Sequence, residues 1–135
     1  MTYDPATGDV VLFGGIGARQ RMLSDMWLWD GSNWVQQTPA TSPPARDGGA
    51  MAYDAADGDI MLFSGGGKVL LDDTWVWNGS DWTQQTPATN PPAREWAGVA
   101  YDPASSDVAI FGGVGFDGGR SDTWLWDGSD WAQGG

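Results

Sequence analysis

The chain has 135 residues, enough for one domain with a sizeable core, and carries a net charge of −12 from 18 acidic and 6 basic residues. That balance argues against nucleic acid or an anionic membrane as partner, since both attract an excess of Lys and Arg. With no Cys and no His, disulfides, thiolate chemistry, Cys/His zinc sites and Ser-His-Asp triads are excluded, and neither a metal nor a cofactor is expected.

From the N-terminus, "TYD" reads as a short strand and "DPATGD" as a hairpin turn. "DVVLF" is a second strand, followed by a double glycine and the irregular loop "IGARQRMLSD". A third strand, "MWLW", alternates with both tryptophans on one face; "DGSN" turns the chain into a fourth, "WVQQ". The proline-rich "TPATSPPAR" then ends the ladder, because proline cannot donate to it. The whole unit then returns twice. Tyr3, Tyr53 and Tyr101 are 50 and 48 residues apart, and Phe13, Phe63 and Phe111 each follow their tyrosine by ten. Trp27/Trp29/Trp34, Trp75/Trp77/Trp82 and Trp124/Trp126/Trp131 keep one internal spacing. Only the stretch from Phe to the first Trp varies, at 14, 12 and 13 residues.

In the middle copy the strands are expected near 48–53, 60–63, 74–77 and 82–85. Gly8 and Gly58 suit turn positions of positive φ, while Ser106 stands there in the third copy. Helix signals are absent. Ten tryptophans, each burying roughly 150–250 Å² when enclosed, replace the usual aliphatic core. Nothing near residue 1 has a basic head before an apolar run, and no stretch approaches a membrane span. A cytoplasmic location is the default expectation.

The pattern "PPARDGGAMAYD…FSGG…DDTWVWNGSDW" resembles the kelch repeat over nearly the whole chain. The resemblance implies an all-β propeller of four-stranded blades: blade 1 about 1–38, blade 2 about 46–86 and blade 3 about 94–133. It also implies that strand one lines a central channel and strand four lies outermost. The double glycine would sit where packed blades leave no room for a Cβ, and the nine patterned tryptophans would fill the space between blades. Met1 aligns with Met51, so the first copy lacks the counterpart of "PPARDGGA". Three blades fall short of the four to eight of closed propellers. A head-to-tail homodimer closing as a six-bladed ring is therefore expected.

This strand order sorts the charges. Eleven aspartates and no cation fall on the hairpin-turn side: Asp4, Asp9, Asp30, Asp54, Asp57, Asp59, Asp81, Asp102, Asp107, Asp127 and Asp130. A solvated acidic face is expected there, because aspartate caps turns; "DAADGD" lacks the carboxylate spacing of a calcium loop. All six cations share the other side with seven carboxylates, and binding residues concentrate on such variable loops.

The candidate ligand-binding residues are Arg19, Arg21, Arg46, Lys68, Arg94, Glu95, Trp96, Phe116 and Arg120. Arg46 and Arg94 recur with the repeat, which favours a structural pair with a carboxylate such as Asp73 or Asp122 over ligand contact. Trp96 is the one tryptophan outside the pattern, replacing Gly48 of the second copy, and either stacks on a ligand or plugs the channel mouth. Glu95 is the only glutamate. Kelch propellers often serve as non-catalytic binding or scaffold modules for a protein, peptide or carbohydrate. Some are copper oxidases, for which the histidines are missing, and others act on sugars. A carboxylate enzyme acting on a small polar or sugar-like substrate is the alternative, and a self-assembling propeller fragment a third reading. No acid stands out in the sequence as a catalytic residue.

Overall fold

A computed structural model covers residues 1–135 and consists of three four-stranded antiparallel sheets joined by extended segments. The first sheet holds β1 (Thr2–Asp4), β2 (Asp9–Ile16), β3 (Met22–Trp29) and β4 (Trp34–Gln37) in that spatial order. The middle sheet repeats it with β5 (Ala50–Asp54), β6 (Asp59–Gly66), β7 (Leu70–Trp77) and β8 (Trp82–Gln84). In the last sheet β9 (Gly98–Asp102) and β10 (Asp107–Phe111) pair with β13 (Thr123–Trp126) and β14 (Trp131–Gln133). Between them β11 (Val114–Gly115) and β12 (Gly118–Gly119) form a separate small hairpin. One 3-10 turn, Ala18–Gln20, lies in the first variable loop.

The second and third strands outrun the expected 60–63 and 74–77, because pairing continues past the glycines. A register shift between Phe63 and Gly65 carries the ladder on to Gly66↔Leu70, and the same bulge lies between Phe13 and Gly15. The glycines therefore kink a strand rather than end it. In the last sheet the ladder does stop at Phe111. Room for a Cβ is lacking at Gly14, against the Arg46 carbonyl of the following unit, and at Gly65, 2.8 Å from the Asp47 carbonyl oxygen of its own unit, whereas Gly15 faces open space. Ser106, at φ +66°, adopts the same left-handed turn conformation as Gly58 at +75°.

Alternation along each strand sends one set of side chains to the preceding sheet and the other to the following one. Trp75, Trp77 and Trp82 pack with Val11, Phe13 and Met26 of the first sheet in one core cluster. Trp124, Trp126 and Trp131 pack with Ala52, Met61 and Phe63 of the middle sheet in the other. The core is thus two layers between three sheets. Trp27, Trp29 and Trp34, expected to pack likewise, have no sheet ahead of them; Trp34 is 43% exposed, against 1% for Trp82. The first strands β1, β5 and β9 are near neighbours across the sheets, which sets them on the inside of the arc.

Candidate functional site

Arg46 and Arg94 belong to the framework. Their side chains are 1% and 0% exposed. The two guanidinium terminal nitrogens of Arg46 fork onto Asp73 Oδ1 and Oδ2, each at 2.7 Å, and one donates to the Ser64 carbonyl at 2.8 Å. Arg94 repeats this on Asp122 at 2.7 and 2.8 Å and on the Gly112 carbonyl at 2.9 Å. Each aspartate also accepts an indole N–H at 2.7 Å, from Trp75 or Trp124. Meanwhile the arginine backbone pairs with the preceding sheet, Arg46 N to Leu23 O at 3.0 Å and Gly15 N to Arg46 O at 2.7 Å. One residue so staples two sheets. Burial works against ionisation of Asp73, but the Arg46 fork overrides it and holds the carboxyl below its usual range. Asp122 is held well below that range, first of all by its hydrogen bonds from Arg94. Neither arginine is free for a ligand, which corrects their place among the candidate contacts.

Where these staples leave the framework, the chain opens onto a cavity of about 360 Å³ between the first and middle sheets, on the side of the variable loops. Gly14, Gly15, Asp47, Gly48, Met51 and Trp96 contribute to its wall. Trp96 sits there at φ +61°, matching Gly48 at +63° in the preceding unit. Left-handed backbone costs a residue with a Cβ roughly 1–2 kcal/mol, and a bulky side chain there is unusual. The conformation is held by Trp96 N donating to Gly48 O at 2.8 Å. The indole ring passes 3.0 Å from where a Cβ on Gly48 would stand, and the residue is 63% exposed. In the single chain it lines the mouth of this cavity with its ring open to solvent.

Glu95 is fixed by a two-bond bridge to Val114, 3.0 Å and 2.8 Å, and its carboxylate lies against Gly66. Asp47 is bridged to Gly66 at 2.9 and 2.8 Å, and its Oδ1 reaches the same spot. The two acids follow Arg46 and Arg94 at one offset, so the repeat register itself pointed to Asp47, which the sequence reading passed over.

The remaining candidates do not converge. Arg19, Arg21 and Lys68 are exposed on their loops, outside the cavity wall. Arg120 folds over Gly115 and meets Asp117 at 3.2 Å. Phe116, 77% exposed, caps the small hairpin.

On the opposite side the aspartates do more than face water. Asp4 and Asp54 are buried, each accepting a turn N–H, from Ala6 at 2.9 Å and Ala56 at 3.0 Å. Burial pushes the Asp54 carboxyl up; at Asp59 burial, with Asp54 and Asp57 nearby, pushes it up to about 6. Asp30 and Asp127 cap their turns, and the backbone N–H groups they accept hold them below the usual range. The expectation of a wholly solvated acidic face is corrected: two of its carboxylates are built into hairpins.

No protein-family model and no curated protein matches the sequence. Among solved structures, that of YjhT superposes with a TM-score of 0.72 at 14% identity, over 94% of this chain and 42% of the YjhT chain. The fold is all-β and propeller-like. At that identity the likeness concerns architecture alone, and this chain spans less than half of the structure it resembles.

Proposed function

We propose that the chain is a non-catalytic binding module: three kelch-type blades that, paired with a second copy, form a six-bladed ring presenting its variable loops and inner cavity to a protein, peptide or carbohydrate. One observation carries this reading. Trp96 holds a strained backbone where its counterpart is glycine, and the result is an exposed indole over a cavity walled by glycines, apolar side chains such as Met51 and Leu62, and Asp47. Backbone strain that persists at such a place is a signature of function, and an open indole face suits stacking on a sugar ring or a prolyl or aromatic side chain. The carboxyls driven upward, Asp54 and Asp59, lie in the hairpin on the other side of the sheet, where turn packing accounts for them.

The test is a titration followed by NMR of the Trp96 indole N–H, assigned through Trp96→Phe, using chitohexaose and a proline-rich decapeptide as probes. Shifts at Trp96, Gly48 and Gly49 with either probe are expected. Silence at all three with both probes would overturn the reading.

A second reading, carboxylate chemistry on a sugar-like substrate, has one observation in its favour, the approach of Asp47 and Glu95 to Gly66. Turnover of aryl glycosides, abolished by Asp47→Asn and Glu95→Gln, would support it over the first.

A further inference from the structure

We propose that the ring closes through a third blade junction, in which Phe111 and Thr123 of one copy receive Trp34 of the other and Thr123 Oγ1 accepts the Trp34 indole N–H. This deepens the homodimer reading and rests on it.

The two junctions inside the chain serve as templates. In each, the tryptophan that opens a fourth strand enters a socket on the preceding sheet. Trp82 meets Phe13 edge-on with ring centroids 5.5 Å apart, and Trp131 meets Phe63 at 4.9 Å. Beneath the indole nitrogen lies a residue of the preceding sheet's third strand. At the second junction it is Thr74, whose hydroxyl accepts the Trp131 N–H at 2.9 Å in a buried setting. At the first the equivalent position, opposite Phe13 in its ladder, is Met26, which shares a core cluster with Trp82, and Trp82 Nε1 is buried with no hydrogen-bond partner.

Both halves of such a junction stand uncovered at the two ends of the arc. Phe111 is 57% exposed, whereas Phe13 and Phe63 are 8% and 0% exposed. Thr123 is paired opposite Phe111 in its ladder, as Thr74 is opposite Phe63, so the last sheet carries the hydroxyl version of the socket. At the other end Trp34 lies 5.5 Å from Trp29 at 48°. The buried pairs Trp77–Trp82 and Trp126–Trp131 stand at 5.5 and 5.4 Å, also at 48°. The open face thus already holds the shape its buried counterparts take, so docking needs little rearrangement.

The occupant is a second copy because the two end faces complement each other and neither complements itself. Trp against Trp would leave both indole N–H groups without an acceptor; Phe against Phe would leave both sockets unfilled. The heterologous pairing generates a ring, and two copies give six blades, within the range of closed propellers, while three would give nine.

Sedimentation equilibrium and native mass spectrometry test the junction. Phe111→Ala is expected to raise the dimer dissociation constant a hundredfold or more, and the isosteric Thr123→Val about tenfold. Phe111 is exposed and Thr123 half-buried in the single chain, so the thermal unfolding of the dilute Phe111→Ala chain is expected to be unchanged. Mixing Phe111→Ala with Trp34→Ala in equal amounts creates one intact junction per mixed dimer. The heterodimer is therefore expected to exceed the twofold excess over each parent that random pairing gives. A wild-type chain that stays monomeric overturns the ring itself. A dimer indifferent to Phe111→Ala and Thr123→Val, or mixing that yields the statistical 1:2:1 ratio, overturns this junction while leaving dimerisation standing.

Discussion

At the two inter-sheet junctions the residue opposite the socket phenylalanine differs: Met26 faces Phe13, and Thr74 faces Phe63. Between the first and middle sheets Met26 packs in the same cluster as Trp82 and offers its indole no oxygen; between the middle and last sheets the Thr74 hydroxyl accepts the Trp131 N–H. A phenylalanine meets an indole in both, edge-on in the first and tilted in the second, but only the second satisfies the buried donor. The packing of large rings therefore sets the spacing of the sheets, and hydrogen bonding adjusts the strength of each junction afterwards. The arginine staples add a second layer to the contrast. Both internal junctions have one, while Asp25, which accepts the Trp27 N–H at 2.7 Å as its counterparts accept theirs, has no arginine partner in the chain.

The sharpest way to break this symmetry is to remove a staple. Arg94→Met leaves the Asp122 carboxylate without its cation and is expected to cost about 3–5 kcal/mol in chemical unfolding, as one-sided loss of a buried pair does. Asp25→Asn, at the equivalent place without an arginine, is expected to change stability by less than about 0.5 kcal/mol. Equal effects would mean that the fork contributes nothing beyond packing. At the next level, Thr74→Val strips Trp131 of its acceptor and is expected to cost about 1–2 kcal/mol. The converse change, Met26→Thr, gives Trp82 a partner while losing apolar volume. Its readout is slower exchange of the Trp82 indole proton; unchanged exchange would show that the group under the indole does not matter.

A smaller effect is expected at the cavity mouth. Trp96→Gly relieves the left-handed backbone, so unfolding free energy should stay level or rise by up to about 1 kcal/mol. A clear loss of stability would restore the indole to a packing role. The last test concerns pH. The Asp59 carboxyl, pushed up to about 6 from 3.8, holds its proton more tightly in the folded chain than in the unfolded one. Its contribution is therefore full below pH 3.8 and is lost as pH rises through 6. Asp59→Asn should raise the melting temperature at pH 7 and lose that advantage near pH 4; a gap independent of pH would contradict the assignment.

Much of this was legible in the repeat. The fixed offsets of Tyr, Phe and Trp marked three four-stranded units and placed paired tryptophans on one face. The recurrence of Arg46 and Arg94 pointed to their carboxylate partners, because a structural pair must repeat with the fold. What escaped were features that depend on the third dimension. The strand extension past Phe63 hinges on a bulge that no local pattern announces, and the burial of Asp54 depends on how the middle sheet is covered on both sides. The conformation of Trp96 was hidden because a left-handed tryptophan runs against every local preference. Only its alignment with Gly48 gave a hint, and that hint marked the position without its backbone. The unpaired Trp82 nitrogen needed the knowledge that Met26, 56 residues earlier in the chain, packs in the same core cluster.

The mass of the chain in solution decides most directly whether the bare ends of the arc are mates. A chain of 14.4 kDa that pairs end to end should run as one species of twice that mass in native mass spectrometry, across micromolar concentrations and moderate salt. A spectrum holding only the single-chain mass under the same conditions would contradict the account.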